Sequence, residues 1–372
     1  MRGFSKKSLL LSLILLSVIL VFAACTPADQ NPSSSGDEQK EQAQSSDGVR
    51  IFTDLSGAEV ELPEDIHSVI HLWPASTAMQ VFLGAGDTIT GTLSGVQKGW
   101  GWLCAACPHL LEVEGFTGDA TAETLLALNP DVVITPNADT AESLRQAGVP
   151  CVCMLGDQES IPALEEFCMK MAELLGGDTI AKAESYCQYL DGLVETVSQA
   201  TSALTPEERV SLYYNSAQHG DSPLLTCGAN YITKTWMDIC GVDNVAVDLV
   251  EGGDVEIAME EIVAADPDYI LVGGSSQEAA LATIQQDAAW QGLRAVQEGH
   301  VIANPQGVMK WEKFGPEIAI QIVWFTKQVY PQLLADIDVE QHVRDFYSQW
   351  YDFDLSDEEY ASMLAGSSGP QK

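Results

Sequence analysis

The chain repeats part of itself. The segment ETLLALNPDVVIT at 123–135 aligns with EEIVAADPDYILV at 260–272, an offset of 137 residues. Each copy reads as the end of an amphipathic helix, then Asn129 or Asp266, then Pro-Asp, then a short apolar run. Proline cannot continue the helical hydrogen-bond ladder, so the helix ends there. VVIT and YILV are apolar and β-branched or aromatic, as expected of strands buried on both faces. Two further echoes support the first. FLGAGDTITGT at 82–92 and ICGVDNVAVD at 239–248 each close a helix at glycine and turn into a β-rich run, and GVPCVCM at 148–154 and GHVIANP at 299–305 each follow a helix. Strands alternating with helices build parallel sheets. The expected fold is therefore α/β, with two related Rossmann-like lobes whose sheets are mostly parallel. The length, 372 residues, agrees, because a single core stops growing at roughly 250–300 residues.

Between the copies lies one long helical pattern. Ile180, Ala183, Cys187, Leu190, Val194, Val197, Thr201 and Leu204 recur at alternating steps of three and four, which places them on one helical stripe. Asp178 is a suitable N-cap, and Pro206 follows the end. A helix of this span is roughly 40 Å long, enough to run under both lobes as a stiff hinge. A dimerising coiled coil would need longer heptads with charged flanks, so a monomer is expected.

The amino terminus reads as an address. Arg2, Lys6 and Lys7 precede an apolar run over 9–22 broken only by Ser12 and Ser17, and Ala23 and Ala24 stand before Cys25. The run is short for a membrane span, which needs about 20 residues, and suits a signal-peptide core. Residues 26–48 hold Ser, Gln, Asp, Glu and Pro with no aromatic side chain, so they cannot offset their own ordering entropy. They read as a tether with a reach on the order of 25 Å. Acidic residues outnumber basic ones 54 to 17, for a net charge of −37. Such a surface repels phosphate backbones, which argues against a nucleic-acid partner.

Small residues before Cys25 resemble the lipobox of bacterial lipoproteins, which implies a lipid on that cysteine. Together with the tether, the twin lobes, the bridging helix and the paired NPD and DPD turns, they resemble a substrate-binding lipoprotein of an ABC importer, in the iron-siderophore, heme and cobalamin branch. IFTDLSGAEVELPEDIHSVI at 51–70 and DAAWQGLRAVQEGHVIANP at 287–305 resemble that family's first hairpin and late helix-strand segment. The resemblance covers about 51–330. It implies a cell-membrane protein on the extracytoplasmic face, with no permanent cofactor, that delivers a metal chelate to an ABC permease and its ATPase subunits. The expected organisation is a signal peptide at 1–24, a tether at 25–48, an N-terminal lobe at 49–175, a bridging helix at 176–204 and a C-terminal lobe at 205–372. Members often carry a permease-docking glutamate early in the first-lobe helix, where Ala78 stands here.

Ligands of open α/β sheets bind outside the carboxyl ends of the strands. The candidate loops are therefore 73–76, 94–109 and 136–139 in the first lobe and 214–222, 273–276 and 304–314 in the second. Trp73, Trp100, Trp102 and Trp311 lie in them and suit stacking on a flat ligand, whereas Trp236, Trp290 and Trp324 sit in helical patterns and read as core. Ser76, Asn137, Tyr214, Asn215, His219 and Ser275 are the polar candidates, with Lys98 and Lys310 facing an anionic chelate. These loops contain no arginine, which favours a weakly charged chelate, a corrinoid or a porphyrin over a catecholate complex. His109 and His219 are candidate metal ligands.

The chain has nine cysteines. Cys104 and Cys107 form a C-x-x-C unit that admits a strained disulfide, a thiol redox pair or soft-metal binding. A rival function follows, an exported thiol-redox or metal-delivery lipoprotein. Cys151 and Cys153 point to one face of a strand, and Cys187 and Cys240 read as small core residues. No enzyme is expected. His219, Asp221 and Ser222 lie too close in sequence to form a triad on their own, and no phosphate-binding glycine loop is present.

Overall fold

The computed structural model describes residues 48–118, 120–217, 222–250 and 252–370. The signal peptide, Cys25, nearly all of the tether and His219 lie outside the described residues.

The first half opens with an antiparallel hairpin, β1 (Val49–Thr53) and β2 (Glu59–Pro63), followed by β3 (Val69–His71), α1 (Pro74–Phe82), β4 (Ile89–Leu93), α2 (Ser94–Gly99), α3 (Gly101–Ala106), β5 (Glu114–Phe116), α4 (Ala122–Leu126), β6 (Val132–Thr135), α5 (Ala138–Gln146), β7 (Cys151–Cys153) and α6 (Ile161–Leu175). Its sheet is parallel in the order β5-β4-β3-β6-β7. After α7 (Thr179–Thr201) come β8 (Val210–Asn215), β9 (Leu225–Thr226), α8 (Ile232–Ile239), β10 (Val242–Asn244), β11 (Val255–Glu256), α9 (Met259–Ala265), β12 (Tyr269–Val272), α10 (Gln277–Gln286), α11 (Arg294–Gln297) and β13 (Val301–Ala303). The second sheet is parallel in the order β10-β8-β12-β13, and β9 pairs with β11 as a small antiparallel ribbon. The chain closes with α12 (Ile318–Val329), α13 (Val339–Tyr351) and α14 (Asp357–Leu364).

The sequence echo survives as geometry. Asn129 and Asp266 both sit at positive φ, 47° and 40°, where each helix ends before its Pro-Asp. Two residues on, Asp131 and Asp268 do the same work. Asp131 Oδ2 accepts the backbone N–H groups of His67 and Ser68 at 2.7 and 2.9 Å, just ahead of β3. Asp268 Oδ2 accepts the backbone N–H and the hydroxyl of Ser211 at 2.8 and 2.7 Å, at the start of β8. Each carboxylate thus ties the strand it opens to the central neighbouring strand. Gly148 and Gly299, with φ of 87° and 78°, make the matching turns into β7 and β13.

α7 joins the halves, packing on α6 of the first and α12 of the second. Its 23 residues give it a length of roughly 35 Å. The predicted stripe is only partly the buried face. Ala183, Leu190, Val197 and Thr201 are buried, but Ile180 is exposed and Tyr186 takes its share of the core, because the helix is also covered by the C-terminal helices that the repeat does not foretell. Phe82 at the end of α1 packs on Tyr186 of α7 and on Trp350 and Tyr351 of α13, with ring centroids 4.8, 5.6 and 5.4 Å apart. Ala78, one turn earlier on α1, is fully buried.

The twin carboxylates make a direct prediction. Asp131→Ala and Asp268→Ala each strand two donors at the neighbouring strand, and Asp268→Ala also removes a partner of the exposed Arg294 guanidinium, so each substitution costs about 1–3 kcal/mol. Urea denaturation of the two variants checks the expectation of comparable losses.

Candidate functional site

Loops at the carboxyl ends of both sheets meet around one cleft of about 340 Å3. The first half contributes Trp73, Pro74 and Ala75 at the start of α1, Trp100 between α2 and α3, and Glu159 ahead of α6. From the second come Cys227, Tyr231, Ile232 and Thr233 around the start of α8, then Asp254, Ser275, Met309, Lys310, Lys313 and Phe314.

One wall is aromatic. Trp73 lies 5.1 Å from Phe167 and 6.3 Å from Phe314 between ring centroids, and Phe167 stacks on Phe314 at 5.8 Å, so rings of both halves touch beneath the ligand space. Trp73 is held from below. Its carbonyl accepts the Ser76 hydroxyl at 2.9 Å, and that hydroxyl lies 2.8 Å from Nδ1 of His71. His71 is fully buried, and desolvation pulls its pKa down to about 4, so it stays neutral and serves as scaffold. Trp100 is set by the C-terminal tail. Its neighbour Gly101 lies so close to that tail that a Cβ would stand 2.5 Å from the Pro370 carbonyl oxygen.

The opposite wall carries charge. Lys310 is only 5% exposed and makes no ion pair among the described residues; its Nζ lies 3.8 Å from the centroid of the Trp100 ring. Burial lowers its pKa to about 8, against the pull of the Glu312 carboxylate, so the ammonium is charged at neutral pH. Lys313 lies over the Tyr214 ring at 5.6 Å. The α8 N-terminus also faces the cleft without a side-chain cap from its own N-cap residue, Tyr231. Thr233, 1% exposed, has a hydroxyl with no hydrogen-bond partner among the described residues. Glu317 is buried beneath the same loop, where its Oε1 accepts the Met309 N–H at 2.8 Å and the Tyr351 hydroxyl at 3.1 Å. Burial raises its pKa to about 8.

Four of the side chains singled out in the sequence line the cleft: Trp73, Trp100, Ser275 and Lys310. The others do not. Trp102 is buried with its indole N–H donated to the Ser367 carbonyl at 2.7 Å, and Trp311 is a core residue donating to the Tyr347 hydroxyl at 2.9 Å. Ser76 supports Trp73 from inside, Tyr214 lies beneath Lys313, and Asn215 spends its amide on the carbonyls of Ser222 and Leu225. Asn137 caps α5 by accepting the Thr140 N–H at 2.8 Å. Lys98 is exposed on α2, because 94–109 is not an open loop but two short helices and a 3-10 turn. His109 lies outside the cleft lining with its Nε2 2.9 Å from the Ile89 carbonyl oxygen, and no group of three or more His, Cys, Asp or Glu placed to hold a metal occurs among the described residues.

Cys104 and Cys107 are buried, and the Cys104 thiol donates to the Val96 carbonyl at 3.8 Å. Desolvation raises the Cys107 thiol, the opposite of what an attacking thiolate needs. Cys107 therefore lends the thiol-redox reading no activated sulfur. Glu159, Thr233, Lys313 and Phe314 were missed as individual residues. Lys313 and Phe314 lie in the 304–314 loop already marked, whereas Glu159 and Thr233 stand beside helix starts and carry no sequence signal that separates them from ordinary polar surface.

The periodic pattern of this architecture has known counterparts. The model of the periplasmic binding protein family matches residues 109–307. The molybdate-binding protein MolA of Haemophilus influenzae is 26% identical over 325 residues, spanning 81% of this chain and 91% of that protein. An uncharacterized ABC transporter substrate-binding lipoprotein of Bacillus subtilis, YvrC, is 21% identical over 87% of this chain and 97% of its own. Among solved structures, MolA bound to molybdate superposes with a TM-score of 0.73 at 22% identity, covering 82% of this chain and 99% of that one. CeuE of Helicobacter pylori with Ni(II) bound gives 0.67 at 17% identity, covering 85% and 99%. The twin parallel sheets, the single bridging helix and the shared cleft are thus those of a known, non-catalytic design, and the chain belongs to the periplasmic binding protein family, in the helical-backbone type that serves ABC transporters.

Proposed function

We propose that this substrate-binding protein captures a compact anion, either a metal oxyanion or a small anionic metal chelate, and delivers it to an ABC importer. The observation that carries the reading is Lys310, a buried ammonium 3.8 Å from the centroid of the Trp100 ring and in no ion pair among the described residues. Burying a charge is costly; the nearby Glu312 carboxylate offsets part of that cost without pairing with the ammonium, and an anion entering the cleft offsets more. Lys313, the Thr233 hydroxyl, unpartnered among the described residues, and the start of α8, whose first N–H is held by Glu159, face the same space. Trp73, Trp100 and Phe314 would cover the organic part of a chelate. The volume favours a compact ligand over a porphyrin or corrinoid. That MolA, a relative over most of the chain, binds molybdate supports the oxyanion end of this range.

In this reading the cargo is substrate, with no resident cofactor. A lipid on Cys25 and the tether at 25–48 would hold the body at the extracytoplasmic face, beside a permease whose separate ATPase subunits hydrolyse ATP. No described helix is long and apolar enough to cross a membrane.

Mass spectrometry of the ligand retained on native purification tests the proposal; a neutral or cationic cargo would overturn it. In calorimetry with sodium molybdate, Lys310→Met should weaken binding by roughly ten- to a hundredfold, the range for a hydrogen bond to a charged group. The same titration should weaken as pH rises through about 8, because Lys310 is protonated below that value and neutral above it while molybdate keeps its charge. Lys310→Met should flatten that dependence. Trp100→Ala should lower affinity at a nearly unchanged melting temperature, whereas Trp311→Ala, a core truncation, should cost about 3–5 kcal/mol of stability in chemical denaturation.

A further inference from the structure

The cleft already holds an anion of its own. Glu159, on the loop between β7 and α6 of the first half, reaches across to α8 of the second, where its Oε2 accepts the Ile232 backbone N–H at 3.1 Å. That N–H is the first of α8, one of the donors a helix start leaves without an intrahelical partner. The same approach is reinforced by the Thr235 hydroxyl, which donates to the Glu159 carbonyl at 3.5 Å. The side chain lines the ligand space beside Lys310 and Thr233. Two further observations mark that space for a ligand: the 95% buried Lys310, which lies off the helix and has no ion-pair partner among the described residues, and the buried Thr233 hydroxyl, which has no hydrogen-bond partner among them.

We propose that Glu159 is an internal competitor for the anion site, and that an incoming anion must displace its carboxylate from the α8 N-terminus to bind. The inference rests on the anion reading of the cleft given above. Its physical basis is simple. One set of donors cannot serve two negative groups at once, and like charges within a few ångströms repel strongly where water is scarce. The contact also joins the two halves across the cleft mouth, so that displacing it frees the first half from α8 at the same step. Glu159 therefore sets selectivity: a neutral ligand would have no need to move it, whereas an anion must outcompete it and gains Lys310 and Lys313 in exchange.

The test uses Glu159→Gln, which keeps the shape and removes the charge, with Glu159→Ala as a second variant, in two measurements on the full folded body. Hydrogen exchange of the Ile232 amide in the ligand-free protein reads the contact directly and should speed up in both variants. Calorimetry with sodium molybdate should show tighter binding by roughly tenfold, the scale of one charged hydrogen bond. Unchanged exchange at Ile232 overturns the proposal. So does molybdate binding that is weaker in both variants than in the parent, which would make Glu159 a supporting residue. If the parent and both variants all fail to bind molybdate while Ile232 exchange rises, the anion reading itself fails and the displacement falls with it.

Discussion

The cleft depends on an aromatic seam far from any ligand. Phe82, at the end of the first helix of the first sheet, is packed among Tyr186 of the bridging helix and Trp350 and Tyr351 of α13. The Tyr186 hydroxyl donates to the Pro316 carbonyl at 2.9 Å, and Lys182 Nζ to the Trp350 carbonyl at 2.7 Å. The halves are therefore joined by more than a hinge. A single helix would leave one bending mode; a helix with a second layer laid over it suppresses that mode. The tail after α14 adds a further tie, with the Ser367 and Ser368 carbonyls accepting from the indole and backbone N–H groups of Trp102. A ligand meeting walls already in place loses little free energy to ordering them.

Electrostatics within this frame runs against the protein's overall charge. A body of net charge −37 repels anions at long range, though salt screens that field beyond about 8–10 Å. If the cargo is the proposed anion, its recognition depends on what lies inside the cleft, where fewer water molecules screen. Lys310 and Lys313 provide the attraction, and Glu159 and Asp254 on the same walls oppose it. Asp254 accepts the Ser216 hydroxyl, which fixes its carboxylate in place. The balance favours a ligand small enough to sit against the lysines while keeping clear of Asp254.

Much of the fold was legible because it is written twice. The NPD and DPD turns marked where helices stop and strands begin, and each turn's final aspartate proved to anchor its strand to the sheet centre. Segments 73–76, 273–276 and 304–314 do contribute to the cleft, since chain direction in a parallel sheet determines which end the loops occupy, whereas 94–109 folds into short helices and 136–139 does not line it. Side-chain destinations within those loops were not legible. Trp100 and Trp102 are two residues apart, yet one faces the cleft and the other the C-terminal tail. Trp311 follows Lys310 directly and is core while Lys310 is cleft. On a helical turn or irregular loop, neighbouring side chains diverge, and nothing in residue type says which one meets the ligand.

By itself, then, the amino-acid order determined an α/β chain with two related parallel sheets, a long helix between them and a ligand space at their carboxyl ends. Those features follow from local periodicity and from where glycine and proline interrupt it. Only tertiary structure decided that the space is narrow and cationic on one wall, that Glu159 crosses it, and that α13 and the tail lock the halves together. Each of these joins residues distant in sequence, such as Glu159 with Ile232, Trp100 with Lys310 and Phe82 with Trp350. Contacts of that kind arise from packing, which no local pattern encodes.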